Sequence, residues 1–233
     1  MNPYNAHIIT CHGWGFNPEF WRALEYQMGN RFVFNHADRG YFGNPSKPRF
    51  PDEPQIKKVL LLHSFGLHWC DDQLFKKADH VVIMSGFMNF HPGNEDEFKR
   101  SKLTLREMQA QFVDSPDEVL KRHYINSFHP QKPQFLPPSG IQHDLLLADL
   151  GLIDRDAHVR QRIYDARSIT ILHGSDDLIV HKNTARDMYH DLILRSQYFE
   201  ILNAGHAFPV THADKCAEIL TSLIYSKAHG KIR

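Results

Sequence analysis

Three residues that can cooperate in nucleophilic catalysis follow apolar runs of this sequence, in the order serine, aspartate, histidine. Ser64 lies after the run VLLLH, Asp177 after ITIL within the segment HGSDDLIV, and His206 after YFEIL within the segment NAGHAFP. A serine is a weak nucleophile at neutral pH, so a base must take its proton and an acid must orient that base. The residues therefore predict Ser64 as nucleophile, His206 as general base and Asp177 as the orienting acid.

The residues around Ser64, LHSFG, are similar to the nucleophile elbow G-x-S-x-G, which joins a strand to a helix. Such a turn exposes the serine hydroxyl and places the backbone N–H of Phe65 at the start of the helix, where it can stabilise an oxyanion. Leu62 stands where the first glycine is expected. Taken alone, Ser64 therefore fits a nucleophile and an ordinary helix N-cap equally well.

The segment HGWG at 12–15 follows the first apolar run and has glycines on both sides of Trp14. Glycines free the backbone to turn an N–H toward a site, so the N–H of Trp14 is the candidate second oxyanion donor, paired with that of Phe65. Trp14 and Phe65 are also predicted to contact the substrate. On its own, the segment fits a glycine-rich turn that merely ends a strand equally well.

Two adjacent acids compete for the role of orienting the histidine. Asp177 comes three residues after Gly174 and is the favoured candidate, whereas Asp176 is the alternative and could instead shape the turn. Gly205 beside His206 permits a tight loop that carries the histidine across the sheet edge.

Six short apolar runs, separated mostly by helix-like segments, predict a mainly parallel α/β sheet. The runs are 6–10, 32–35, 59–62, 80–84, 169–172 and 198–202, and the helix-like segments are 20–28, 66–77, 183–194 and 213–226. The candidate residues each follow a strand, at the edge where parallel sheets bind ligands, in the order of the α/β-hydrolase fold. That fold, with flanking helices, is therefore the predicted architecture.

The middle of the chain interrupts this alternation. Helices are predicted over 95–110, 116–128 and 143–150, with a proline-rich loop over 129–140, and no strand is predicted over 90–165. We therefore divide the chain into an α/β-hydrolase core, 1–88 and 166–233, and a helical insertion, 89–165, which we call the cap.

The composition limits the possible partners. The net charge is zero, with 27 basic and 27 acidic residues, which gives no reason to expect binding to nucleic acid or an anionic membrane. The 3 cysteines and 17 histidines form no metal-binding or redox spacing, so we predict no metal and no cofactor. The N-terminus lacks the pattern of a secretory signal and no run is long enough to span a membrane, so we expect a cytoplasmic protein.

The opening HGWGFN, followed by Glu19 and Trp21, resembles the pimeloyl-acyl-carrier-protein methyl ester esterases of biotin synthesis. The segment DRGYFG at 38–43 is similar to the D-x-x-G-x-G turn of the wider superfamily, with its first glycine one place early. The resemblance covers nearly the whole chain, although the stretch between HGWG and Ser64 is short. It implies a cofactor-free carboxylesterase that removes the methyl ester from a pimeloyl group carried on acyl-carrier protein.

The same resemblance assigns roles within the cap. It implies that the cap covers the acyl chain, that His123, Tyr124 and Ser127 line the pocket, and that basic residues meet the acidic carrier protein. Arg100, Lys121 and Arg122 are the candidates for carrier binding, within two basic clusters of the cap. The alternative interpretation of these clusters is a solvated helix face.

Other functions share the same residues and stay open. A general carboxylesterase or thioesterase, or a carbon–carbon bond hydrolase, could use the same fold and triad, because fold alone does not determine the reaction. A non-catalytic relative that binds a small molecule is the second class of alternative. It is disfavoured because serine, acid and histidine are all present.

Overall fold

In the computed structural model, which describes residues 6–154 and 159–225, six parallel strands form one sheet. The strands are β1 (Ala6–Cys11), β2 (Phe32–Ala37), β3 (Lys57–His63), β4 (His80–Met84), β5 (Ile169–Gly174) and β6 (Ser196–Ile201). All six predicted strands are confirmed, and no strand lies between β4 and β5 in the described residues. The sheet order is β2-β1-β3-β4-β5-β6.

The order in which the chain adds strands to the sheet reverses between β2 and β3. From β1 it passes outward to β2 and then returns to place β3 on the other side of β1, so that Cys11 of β1 is paired with Leu62 of β3. Ligands bind beside such a reversal, at the carboxyl ends of the strands. The topology therefore brings the HGWG loop after β1 next to Ser64 after β3.

Ten α-helices surround the sheet in the described residues. They are α1 (Arg22–Met28), α2 (Gly66–Trp69), α3 (Asp72–Lys77), α4 (Glu95–Asp114), α5 (Pro116–Phe128), α6 (His143–Ile153), α7 (Val159–Asp165), α8 (Lys182–Asp191), α9 (Phe208–Thr211) and α10 (Ala213–Tyr225). A 3₁₀ turn, Pro18–Trp21, precedes α1. The helices α7 and α9 were not predicted, and Ser226, the last residue of the predicted helix 213–226, lies outside the described residues.

The prediction of one continuous helix over 66–77 is wrong. The backbone is extended at Cys70 and Asp71, with ψ angles of 145° and 131°, so the segment splits into α2 and α3. The Asp71 side chain accepts a hydrogen bond from the N–H of Gln73 at 2.8 Å. An aspartate N-cap of this kind starts a new helix and outweighs the helical spacing of the apolar residues.

Alternate residues of the strands pack into two hydrophobic clusters, one on each face of the sheet. Ile8 and Val59 join the cluster with α1 and α10, whereas Ile9 and Leu60 join the cluster with α2, α3, α7 and α8. Each fully buried aliphatic side chain contributes about 1.5–3 kcal/mol relative to an exposed one. This two-sided burial explains why the central strands β3, β4 and β5 are continuous apolar runs rather than alternating ones.

Three cap helices, α4, α5 and α6, lie over the carboxyl edge of the sheet and share a third hydrophobic cluster with Trp14 and Phe65. The fourth, α7, packs instead beside the sheet, with Val159 and Ile163 in the cluster of β3, β4 and β5. None of the described helices is long and apolar enough to cross a membrane.

A buried ion pair joins the cap to the loop after β2. The Arg39 guanidinium donates two hydrogen bonds of 2.8 Å to Asp149 of α6, and the Tyr41 hydroxyl donates a third of 2.7 Å. The Asp149 side chain is 1% exposed, and a buried carboxylate needs such partners to offset its desolvation. The ion pair holds α6 against the core. A second contact places α6 next to the HGWG loop, since the Trp14 indole N–H donates to the backbone carbonyl of Leu146 at 2.8 Å.

Candidate active site

Ser64 stands in a strained turn between β3 and α2. Its φ angle is +52°, a left-handed conformation that costs a non-glycine residue about 1–3 kcal/mol, and its N–H donates to the carbonyl of Met84 at 2.9 Å. A Cβ at Gly66 would collide with the backbone carbonyl of Cys11, so only glycine lets α2 approach β1 this closely. These features are those of a nucleophile elbow rather than of an ordinary helix N-cap.

Leu62 fills the position where the elbow motif has its first glycine. Its side chain is completely buried, in the same cluster as Leu67 and Cys70. The space beside β3 therefore accommodates a large side chain, and the departure from G-x-S-x-G does not prevent the turn.

The HGWG loop lies directly against Ser64, since a Cβ built on Gly13 would be 3.0 Å from the Ser64 Cβ. In the part of the chain that the structure describes, the backbone N–H groups of Trp14 and Phe65 donate no hydrogen bond. Unpaired N–H groups beside a serine can stabilise the negative oxygen of a tetrahedral intermediate. This arrangement supports the predicted oxyanion donors.

Asp177 and His206 form a buried hydrogen-bonded pair. The His206 Nδ1 lies 2.8 Å from the Asp177 Oδ2, and both side chains are 1% exposed. An ionised carboxylate can only accept, so Nδ1 carries a proton, and in the neutral ring Nε2 is the basic nitrogen. Asp176 accepts a hydrogen bond from the Ser175 hydroxyl instead, at 2.7 Å.

The surroundings of Asp177 favour its charged form. Burial alone would raise the pKa of the carboxyl, but the charge and hydrogen bond of His206 outweigh burial and hold the pKa well below its usual range. The other oxygen, Oδ1, accepts hydrogen bonds from the N–H groups of Ile179 and Val180 at 2.8 and 2.9 Å. Asp177 therefore remains a carboxylate throughout the pH range in which a histidine acts as a base.

His63, the residue before Ser64, contacts His206. Its Nε2 donates to the backbone carbonyl of His206 at 3.1 Å, and the two ring centroids are 4.7 Å apart. Burial lowers the pKa of His63 well below its ordinary value, so this ring stays neutral. The sequence analysis did not assign a role to His63, although its place beside Ser64 was a signal.

Among the hydrogen bonds of the described residues, none joins the Ser64 hydroxyl to the His206 ring. Catalytic hydrogen bonds are often long without substrate and tighten only in the Michaelis complex. The structure thus brings Asp177 to His206 and the HGWG loop to Ser64, while the serine–histidine contact stays a prediction.

A cavity of about 570 Å³ lies between the cap and the sheet edge, with Ser64 and Trp14 in its wall. Of the predicted pocket residues, His123 lines it, with a pKa lowered to about 3 by burial. Tyr124 and Ser127 do not line it. The Tyr124 hydroxyl donates to the carbonyl of Gly15 at 2.8 Å, which anchors α5 to the HGWG loop.

The predicted carrier-binding residues divide between two places. Arg100 and Arg122 line the cavity, and neither forms an ion pair with a described residue. Lys121 lies off the cavity and is 4.0 Å from Glu118, with both side chains largely exposed. In the described residues, no group of three or more histidine, cysteine, aspartate or glutamate side chains is placed to hold a metal ion.

Solved structures of similar shape come from esterases and related proteins. An esterase from Exiguobacterium antarcticum superposes with a TM-score of 0.71 at 13% identity, covering 96% of this chain and 93% of that chain. A thermophilic esterase from Thermogutta terrifontis gives 0.70 at 15% identity, covering 96% and 92%, and a bromoperoxidase from Bacillus anthracis gives 0.69 at 16%, covering 95% and 92%. This chain has the α/β-hydrolase fold. No protein-family model matches it.

The α/β-hydrolase fold accounts for the spacing of the three candidate residues. In this fold a serine, an acid and a histidine each follow a strand, in that order along the chain, and lie at the carboxyl edge of the sheet. Here the candidate residues follow β3, β5 and β6. Of these strands, β5 and β6 are neighbours in the sheet, and β4 lies between β3 and β5. The residue that follows β4 therefore lies between the serine and the acid.

That residue is Ser85, which the sequence analysis missed. Its hydroxyl donates to the Asp177 Oδ2 at 2.7 Å, so this oxygen accepts from both Ser85 and His206. Ser85 is fully buried and has a φ angle of +48°. Its position directly after a buried central strand was the available signal.

Replacing Ser85 with alanine is expected to move the acidic limb of the pH profile of kcat/KM to higher pH. Without the hydroxyl, the negative charge on the Asp177 Oδ2 is less stabilised and holds the proton on His206 more tightly. A hydrogen bond to a charged group is worth about 1.5–3 kcal/mol, and part of that difference should appear as a displacement of the acidic limb toward higher pH.

Ser175→Ala is the matched control, because the Ser175 hydroxyl donates to the neighbouring carboxylate of Asp176 and not to Asp177. Its acidic limb should coincide with that of the wild type. Coincident profiles for Ser85→Ala and the wild type would show that Ser85 does not influence the acid–base pair.

Proposed function

We propose that this protein is a serine carboxylesterase in which Ser64 is the nucleophile, His206 the general base and Asp177 the orienting acid. The observation that carries the proposal is the buried hydrogen bond between Asp177 and His206, on the sheet edge where Ser64 stands in its strained turn. The esterases of similar fold are consistent with it.

The reaction begins with attack of the Ser64 oxygen on the ester carbonyl carbon. His206 Nε2 takes the hydroxyl proton as the new C–O bond forms, and the negative charge on Asp177 stabilises the imidazolium. The carbonyl oxygen becomes an oxyanion that accepts hydrogen bonds from the N–H groups of Trp14 and Phe65. Loss of one such donor commonly costs about 10²- to 10³-fold in kcat.

Collapse of this intermediate breaks the bond to the leaving alcohol, which receives the proton from His206. The acyl group is then an ester of Ser64. Water attacks the acyl carbon while His206 Nε2 takes a water proton, and the second collapse returns that proton to Ser64 and releases the carboxylic acid. His206 takes the proton in its neutral form in each half-reaction, and the hydrogen bond from Nδ1 to Asp177 leaves Nε2 as the nitrogen that accepts it.

The substrate we propose is the methyl ester of pimeloyl-acyl-carrier protein, in the cytoplasm. The sequence resemblance to the esterases of biotin synthesis supports this substrate. The cavity is also suited to a flexible acyl chain, because Leu105, Met108 and Leu150 form an apolar part of its wall. Arg100 and Arg122 line it without an ion partner among the described residues. The three cysteines are free and buried, which is consistent with a reducing compartment.

The test compares kcat/KM for the pimeloyl-carrier methyl ester with kcat/KM for short p-nitrophenyl esters, since specificity is the ratio of these values. A large preference for the carrier-linked ester supports the biotin-synthesis substrate. Equal or greater values for the short esters would instead indicate a general carboxylesterase.

Reversing the charges of Lys121 and Arg122 to glutamate is expected to lower kcat/KM for the carrier-linked ester by about tenfold or more at low salt. Attraction between a basic surface and an acidic carrier acts mainly on the association rate, and steering effects span about 10- to 10³-fold. The loss should shrink as salt rises, because the Debye length falls to about 8 Å at 0.15 M ionic strength. Rates at two salt concentrations provide the measurement.

The matched control is the pair Lys76→Glu and Lys77→Glu on α3, which changes the net charge equally but lies away from the cavity. This control should leave kcat/KM for the carrier-linked ester within about twofold of the wild-type value. A small neutral ester separates docking from damage, because a loss on that ester equal to the loss on the carrier-linked ester would show that the cap itself had been disturbed. No loss on either ester would assign the basic cluster to a solvated face.

A further inference from the structure

A second chain of hydrogen bonds lies in the cap, apart from the residues proposed for catalysis. The Ser101 hydroxyl is 2.7 Å from the His91 Nδ1, and the His91 Nε2 is 3.0 Å from the Asp154 Oδ1. Ser101 belongs to α4 and lines the same cavity as Ser64. The ring of His91 is 7% exposed and the side chain of Asp154 is 30% exposed, so the histidine is shielded from solvent while the acid is partly open to it.

The partners of Asp154 determine which atom donates in each bond. The Lys102 ammonium lies 2.8 Å from the same Oδ1, and its hydrogen bond is the main reason that the pKa of Asp154 is lowered. The carboxylate is therefore ionised and can only accept. It follows that the His91 Nε2 carries a proton and donates it to Asp154.

The other ring nitrogen of His91 must then accept. Burial lowers the pKa of His91 despite the opposing effect of Asp154, so the ring is neutral near pH 7 and holds its single proton on Nε2. The unprotonated Nδ1 accepts the only proton of the Ser101 hydroxyl. Because Ser101 lines the cavity, its oxygen can offer only lone pairs, and no proton, to a ligand there.

We infer that the Ser101 oxygen is an acceptor subsite that binds a neutral hydrogen-bond donor of the substrate, an amide N–H or a hydroxyl. This inference rests on the proposed esterase function and names a chemical feature of the substrate. Leu105 and Leu150 of the same wall offer no hydrogen bond, whereas Glu97 and Thr104 of α4 are further polar groups of the wall. A buried unmatched group costs about 1–3 kcal/mol, which makes the subsite selective.

The same order of groups occurs in catalytic serines, but the backbone gives Ser101 a different role. Ser101 lies within α4, between Glu95 and Asp114, where backbone N–H groups bond to carbonyls of the preceding turn. No free N–H pair is therefore available to stabilise an oxyanion at this serine, in contrast to Ser64. The geometry assigns Ser101 to substrate binding.

The experiment uses esters that share one reacting group and one chain length. Each carries an amide N–H or a hydroxyl at successive positions along the chain, beside an N-methyl amide or a methyl ether as the matched analogue without a donor. For the wild type, kcat/KM should favour the donor over its analogue by about tenfold at the position that reaches Ser101. The amide and hydroxyl series identify which donor the subsite prefers.

Two variants locate the effect. Ser101→Ala should reduce the preference to within about twofold, by lowering kcat/KM for the donor substrates and sparing their analogues. Thr104→Val removes another hydroxyl from the same face of α4, one that also lines the cavity, and should retain the preference. Equal rates for donor and analogue in the wild type, or an undiminished preference in Ser101→Ala, would overturn the inference.

Binding measurements keep this result separate from the proposed reaction. The Kd of the corresponding amide and N-methyl amide compounds can be measured by calorimetry on Ser64→Ala and on the double variant with Ser101→Ala. If the amide binds more tightly than the N-methyl amide and the difference depends on Ser101, the subsite is supported even if no ester is hydrolysed. If the protein hydrolyses esters but binds both compounds equally, the subsite is refuted and the proposed esterase function is not.

Discussion

Ser64→Ala is expected to lower kcat for ester hydrolysis by about 10⁴- to 10⁶-fold, the usual cost of removing one member of a catalytic triad. Alanine lacks the hydroxyl that forms the acyl-enzyme, and no described residue replaces it beside the N–H groups of Trp14 and Phe65. The left-handed φ angle of +52° strains alanine no more than serine, so the turn should persist. Stopped assays with p-nitrophenyl esters, and urea unfolding of the same samples, measure activity and stability together.

Ser127→Ala is a control for the loss of a buried hydroxyl near the cavity. Ser127 is fully buried, and its hydroxyl lies 3.5 Å from the His123 ring without lining the cavity. Its kcat should fall by less than about tenfold. A Ser64→Ala protein that kept more than about a tenth of wild-type kcat, an effect below ~1.4 kcal/mol, would show that Ser64 is not the nucleophile.

The central strands could be predicted because burial on both faces makes them apolar, whereas the edge strands β2 and β6 are mostly half-buried or exposed and were predicted from short runs of β-branched and aromatic residues. All six were recognised from such runs, and the strand β4 was predicted with its observed bounds, His80–Met84. Short helices carry a weaker signal. The helix α9, Phe208–Thr211, has only four residues, and the break between α2 and α3 depends on the conformation of two residues, which periodicity does not report.

The candidate residues could be located because each follows a strand that is itself easy to recognise. Contacts between distant segments could not be predicted, since nothing in the sequence says which side chains meet. Asp149 shows the difference: an acid within the apolar run DLLLADLG signals a buried charge, but its partner Arg39 lies 110 residues away along the chain. The contacts of Ser85 with Asp177 and of Ser101 with His91 depend in the same way on packing.

Asp177→Asn is expected to lower kcat by about 10⁴-fold, whereas Asp176→Asn should change it by less than about threefold. The reason lies in the two oxygens of Asp177. Oδ1 accepts from the N–H groups of Ile179 and Val180, so the amide oxygen of an asparagine is required at that position. Its NH₂ group must then replace Oδ2 and face both Ser85 and His206.

An NH₂ group in that place donates where the carboxylate accepted. The His206 Nδ1 must then accept, which moves the ring proton to Nε2, and a protonated Nε2 cannot take the proton of Ser64. Asp176 meets Ser175 rather than His206, so its amide leaves the tautomer of His206 unchanged. The two variants are compared by kcat on one ester at a pH above the acidic limb, with urea unfolding to exclude loss of the fold. A larger loss in Asp176→Asn than in Asp177→Asn would transfer the orienting role to Asp176, and equal small losses would mean that neither acid sets the tautomer of His206.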